Sequence, residues 1–117
     1  MITCIVWADL GLKNTGDERN EPVRFNLAIF NHDIGVQVGN KLTLLNLSKL
    51  DYLPTNEIEI EVKERRQILK LDSEQDSFEL YIEVGIQQNF QEIRKTIKKL
   101  NPGKYENIDI GVSLYDY

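Results

Sequence analysis

Residues 57–86 constrain the fold more than any other part of the chain. Glu57, Glu59 and Glu61 alternate there with Ile58, Ile60 and Val62, and Phe78, Leu80, Ile82 and Val84 alternate with Glu79, Tyr81 and Glu83. Successive side chains on a strand point to opposite faces, so this spelling predicts strands with one face on a core and the other acidic. The polar residues 72–77 between the two runs predict a turn, and consecutive strands joined in this way pair antiparallel. Residues 64–66 interrupt the alternation, and Leu69 and Leu71 resume it. Gly85 marks a bulge or the strand end.

The flanking chain adds further strands. Residues 2–7 are apolar on both parities, which predicts an interior strand covered on both sides. Residues 8–21 read as a loop punctuated by Gly11, Asn14, Gly16, Asp17 and Asn20. From Val23 the odd positions Val23, Phe25, Leu27 and Ile29 predict a second strand, opened by Pro22. Asn31, His32 and Asp33 predict a turn, and residues 36–38 sit between Gly35 and Gly39 without a clear type. Residues 41–47 are apolar enough for a third, mostly buried strand. In the connection over residues 48–56, Leu50, Tyr52 and Leu53 are placed to cap one end of the core.

Residues 89–100 carry the one strong helical signal. Phe90, Ile93, Ile97 and Leu100 recur on one face, and Asn89 stands three residues before Glu92, the spacing of a capping box. Lys95, Lys98 and Lys99 lie near the end, where cations favour the helix dipole. Arg94 joins them on what reads as a solvated basic face. Asn101, Pro102 and Gly103 stop the helix. Beyond it, Ile108, Ile110, Val112 and Leu114 alternate with Asn107, Asp109, Ser113 and Tyr115, which predicts a last strand inserted beside an earlier one, such as the first. The expected architecture is therefore a single α+β domain with a mostly antiparallel sheet of six to seven strands and one principal helix packed on one face.

Composition decides between function classes. Hydrophobic residues form 41% and charged residues 28% of the 117 positions, a balance that gives a folded chain rather than a disordered one. Nineteen acids against fourteen Lys and Arg leave a net charge of −5, which disfavours nucleic-acid backbones and anionic membrane surfaces. No run is long and apolar enough for a membrane span, and no leader pattern opens the chain, so a cytoplasmic location is expected. The lone cysteine, Cys4, lies in an apolar run and reads as a small core hydrophobe. One histidine, His32, cannot supply a zinc set, and it reads as a polar turn residue rather than a catalytic base. Phosphate-binding and dinucleotide-binding glycine spacings are absent. No cofactor or metal is expected.

What remains is the acidic face. Glu57, Glu59, Glu61, Glu79, Tyr81, Glu83, Asp109 and Tyr115 are the candidate partner-binding residues, because carboxylates steer a basic partner and tyrosines supply contact area at small entropic cost. Small antitoxins and immunity proteins that neutralise basic nuclease toxins share this physical profile. The expected class is thus a non-enzymatic binding or inhibitory protein, monomeric or weakly dimeric. The alternatives are a small enzyme or ligand-binding domain with a pocket beside a curved sheet, and a structural or accessory subunit. Acidic strand edges would disfavour the last, since like charges meet in a symmetric pair.

Overall fold

The computed structural model describes residues 2–46, 50–71, 74–86 and 88–108. These contain strands β1 (Ile2–Asp9), β2 (Leu12–Asn14), β3 (Arg24–Phe30), β4 (Lys41–Leu45), β5 (Glu57–Lys70) and β6 (Ser77–Ile86), helix α1 (Phe90–Leu100) and strand β7 (Tyr105–Asn107). Five strands form one sheet in the order β3-β1-β6-β5-β4, and β2 pairs with β7 in a second, two-stranded sheet. All neighbours are antiparallel except β1 and β6, which run parallel. The fold is α+β and mostly antiparallel, as the alternating runs required.

One face of the large sheet builds the core. Cys4, Val6 and Ala8 of β1, Ile58, Ile60 and Val62 of β5, and Leu80, Ile82, Val84 and Ile86 of β6 are buried together with Ile93 and Ile97 of α1. The half-buried Leu50, Tyr52 and Leu53 pack against this cluster, as their place in the connection suggested. Among the described residues no element covers the opposite face, and every side chain on it in β1, β5 and β6 is half-buried or exposed. The strand β1 is interior in the sheet, yet among the described residues it is covered on one side only, and Thr3, Ile5 and Trp7 on the other side are half-buried.

Several local expectations are corrected. The expected loop over residues 8–21 contains β2, and its Leu10 and Leu12 are fully buried. Gly11, with φ of 67°, allows the chain to turn between them, and the Asp9 carboxylate accepts its N–H at 2.8 Å. In β3 the apolar parity does not run through to Ile29. A register shift opposite Val6 and Trp7 leaves Leu27 as the extra residue, so Ala28 and Phe30 take the inner positions and Ile29 is 62% exposed. The strand β4 is an edge strand rather than a mostly buried one, and its Leu45 stands out in solvent.

The helix has the predicted bounds and buries Ile93 and Ile97, with Phe90 half-buried, but Leu100 is 49% exposed and the predicted cap is not formed. Asn89 adopts the left-handed conformation, with φ of 59°, and makes no side-chain capping bond. Its carbonyl accepts the Ile93 N–H instead. Arg94 is 4% exposed rather than solvated, and donates from Nη2 to the Gly11 carbonyl at 3.3 Å, tying α1 to the turn after β1. Asn101 closes the last turn through its backbone and side-chain N–H groups, both donating to the Ile97 carbonyl. Of the expected last strand only Asn107 and Ile108 are described: Asn107 ends the short strand Tyr105–Asn107, which pairs with β2, and the Ile108 N–H reaches the Gly11 carbonyl. Residues 109–115 lie outside the described residues.

Candidate functional site

The open face of the sheet is set by register. Opposite one another across β6 and β5 stand Glu79 and Ile68, Tyr81 and Arg66, and Glu83 and Glu64, followed by Gly85 and Glu61. A bulge between Val62 and Glu64 makes this possible, because the extra Lys63 shifts the parity of β5 and turns Glu64, Arg66, Ile68 and Lys70 outward. Gly85 faces the start of this bulge, and the aliphatic stem of Lys63 lies across the space its missing side chain leaves. On the other flank of β6, β1 contributes Thr3, Ile5 and Trp7 opposite Glu79, Tyr81 and Glu83. The strand β4 adds Lys41, Thr43 and Leu45 opposite Glu61, Glu59 and Glu57.

Six of the eight residues picked from the sequence, Glu57, Glu59, Glu61, Glu79, Tyr81 and Glu83, therefore share this face. Asp109 and Tyr115 lie outside the described residues. The six are not electrically equivalent. The Lys63 ammonium donates to Glu61 at 2.9 Å and holds its carboxyl below the usual range, with Lys41 adding to the effect. Glu79 is likewise lowered by Lys70 and by the Tyr81 hydroxyl, which donates to it at 2.9 Å. Glu83 behaves in the opposite way. Burial pushes its carboxyl up, and the facing carboxylates of Asp9 and Glu64 push it further. Glu57 and Glu59 are exposed and form no ion pair among the described residues.

The centre of the face is aromatic and cationic as well as acidic. The Arg24 guanidinium sits 4.3 Å from the Tyr81 ring centroid and 5.1 Å from that of Trp7, so one cation touches two rings contributed by different strands. Around it Trp7, Arg24, Glu64, Arg66, Ile68, Tyr81 and Glu83 line a depression of about 60 Å³. The Trp7 indole N–H is buried and meets no acceptor among the described residues. Sequence reasoning missed Asp9, Trp7, Arg24, Glu64 and Arg66. For Trp7 the signal was present, since it shares parity with Thr3 and Ile5. For Glu64 and Arg66 it was incomplete, because the break in alternation over residues 64–66 does not say which residue is extra or which way the next ones turn.

Chemistry elsewhere is sparse. Among the described residues no group of three or more His, Cys, Asp or Glu side chains is placed to hold a metal ion. His32 is exposed in its turn, hydrogen-bonded to the Asn31 side chain at 3.1 Å and edge-on to Phe30. Cys4 is fully buried, and burial raises its thiol pKa, which is the reverse of what a nucleophile needs. No described helix is long and apolar enough to cross a membrane. Comparison with protein-family profiles, with curated proteins and with solved structures gave no match.

Proposed function

We propose that the protein is a non-enzymatic binding protein whose open sheet face receives a basic protein partner. The observation that carries this reading is the setting of Glu83. Burial raises its carboxyl pKa, and the Asp9 and Glu64 carboxylates raise it further against an opposing pull from Lys63, so the carboxylate is poorly solvated and crowded in a way that a partner's Lys or Arg would relieve. Trp7, Tyr81 and Arg24, the residue types that dominate interface energetics, stand beside this carboxylate cluster. Glu57 and Glu59 extend the acidic character toward the sheet edge, where they would steer approach. A small toxin-neutralising protein of the immunity or antitoxin kind is one instance of such a binder.

The test is association kinetics with the basic protein recovered by pull-down from the native host. The on-rate should fall steeply as salt rises. In the Glu57→Gln, Glu59→Gln, Glu83→Gln triple variant it should be several-fold slower and less salt-sensitive. An on-rate unchanged by the triple substitution overturns the assignment of this face.

A further inference from the structure

The strand β5 is fourteen residues long, but its outer edge is covered for less than half of that length. The strand β4 pairs with Glu57–Glu61, and the backbones of Gly39 and Asn40 take the bonds at Val62. Beyond this point, among the described residues, no strand pairs the edge of β5. A bare edge presents unpaired backbone N–H and C=O groups and serves as a template for another strand unless proline, charged side chains without complementary partners or a covering element blunt it. This one has no proline. It carries Glu64 as well as Arg65, Arg66 and Lys70, with Ile68, Leu69 and Leu71 exposed between and beyond them. The acidic edge expected to disfavour self-pairing is therefore absent.

We infer that this edge pairs antiparallel with the same edge of a second copy of the chain, about a two-fold axis at Gln67. The axis stands perpendicular to the sheet, so side chains that meet must share a face and only registers centred on a residue are allowed. Centring on Gln67 sets Glu64 opposite Lys70 of the second copy, twice over by symmetry, with Arg66 opposite Ile68 and Arg65 opposite Leu69. Neighbouring registers fail on charge or on space. Centring on Arg65 or Arg66 opposes that arginine to itself and runs the second copy into Gly39 and Asn40, which already occupy Val62. Centring on Ile68 sets Arg66 against Lys70 at both ends.

The chosen register also improves the position of Glu64. Within one chain Glu64 faces Glu83 and makes no ion pair among the described residues, whereas Lys70 already holds Glu79. In the pair, Lys70 bridges Glu79 of its own chain and Glu64 of the other. The two sheets join into one of ten strands, with both open faces on the same side. This pairing does not depend on the proposed basic partner.

Sedimentation of the full chain over a concentration series at low salt tests it. The wild type should form a concentration-dependent dimer. Glu64→Lys and Lys70→Glu, each at an exposed position, should each weaken the dimer by about tenfold or more, since each change sets two like-charge pairs face to face. The double variant Glu64→Lys, Lys70→Glu should regain it, because the signs are complementary again. A wild type that stays monomeric throughout the series, a dimer indifferent to both single changes, or a double variant as weak as the singles would each overturn the inference. Circular dichroism of the variants separates loss of pairing from loss of fold.

Discussion

The two halves of β5 differ in what holds them. Glu57–Glu61 pairs with β4 and, from Ile60 onward, with β6 as well; it buries Ile58 and Ile60 in the core and exposes Glu57 and Glu59. After the bulge the strand keeps only β6 as a neighbouring strand among the described residues. The parity that faced solvent before the bulge now faces inward and carries Arg65, Gln67 and Leu69, and Leu69 is 66% exposed. The one described side-chain tie on that side is Arg65, whose guanidinium donates to Asp33 at 2.8 Å and also reaches the Val36 carbonyl. A single strand thus serves first as core and then as an outlying ribbon. The change takes place at one inserted residue, Lys63, where the acidic alternating run gives way to Lys63, Arg65, Arg66 and Lys70.

The widest separation between the halves is in stability. Ile58→Ala removes a fully buried side chain and should cost roughly 2–5 kcal/mol, whereas Leu69→Ala should stay within about 0.5 kcal/mol of wild type at concentrations where the chain is monomeric. Urea unfolding of the two variants checks this. Equal losses would mean that the second half is packed as firmly as the first.

A pH experiment sharpens the same contrast at the tie. The Arg65 guanidinium, with the Gly35 N–H, holds the Asp33 carboxyl down at about 2, against its ordinary 3.8. Because the folded value lies below the unfolded one, the contribution of this pair is present above pH 3.8 and is lost as pH falls toward about 2. Both side chains are partly exposed, so the contribution is screened and small. In an NMR titration, Arg65→Gln should return the Asp33 midpoint toward its ordinary value. A midpoint that does not move would assign the shift to something other than the arginine.

The smallest effect is expected at Glu83, just across from the bulge. Its carboxyl is raised in the fold, so the folded state holds that proton more tightly and gains stability as pH drops through the carboxylate range. Glu83→Gln should therefore leave the melting temperature at neutral pH unchanged or slightly higher. A clear fall would mean that the carboxylate has a stabilising partner.

These contrasts explain what the sequence could disclose. Strict alternation located the core residues of β5 and β6, and the helical spacing of Ile93 and Ile97 located the buried side of α1, because burial on one face forces a periodic spelling. The inversion at Lys63 and the extra Leu27 in β3 were not legible. A bulge changes which face a residue takes without changing the residues themselves. The buried Arg94 was missed for a related reason, since its partner, the Gly11 carbonyl, comes from a turn 83 residues away in sequence. The acidic face was legible as a set of glutamates. Its pairing was not, because the neutralisation of Glu61 and Glu79 and the crowding of Glu83 follow from cross-strand register.

The most direct test of the open face as a binding surface compares two variants of equal charge. One carries Glu57→Gln, Glu59→Gln and Glu83→Gln on the face, and the other carries Glu18→Gln, Asp51→Asn and Glu92→Gln at exposed positions outside it. Both lose three negative charges, so a general field effect would slow association with the basic partner equally in the two. Stopped-flow on-rates at low salt should fall several-fold further in the face variant than in the control. Equal on-rates in the two variants would contradict the account and leave the acids of this face with no role beyond solubility.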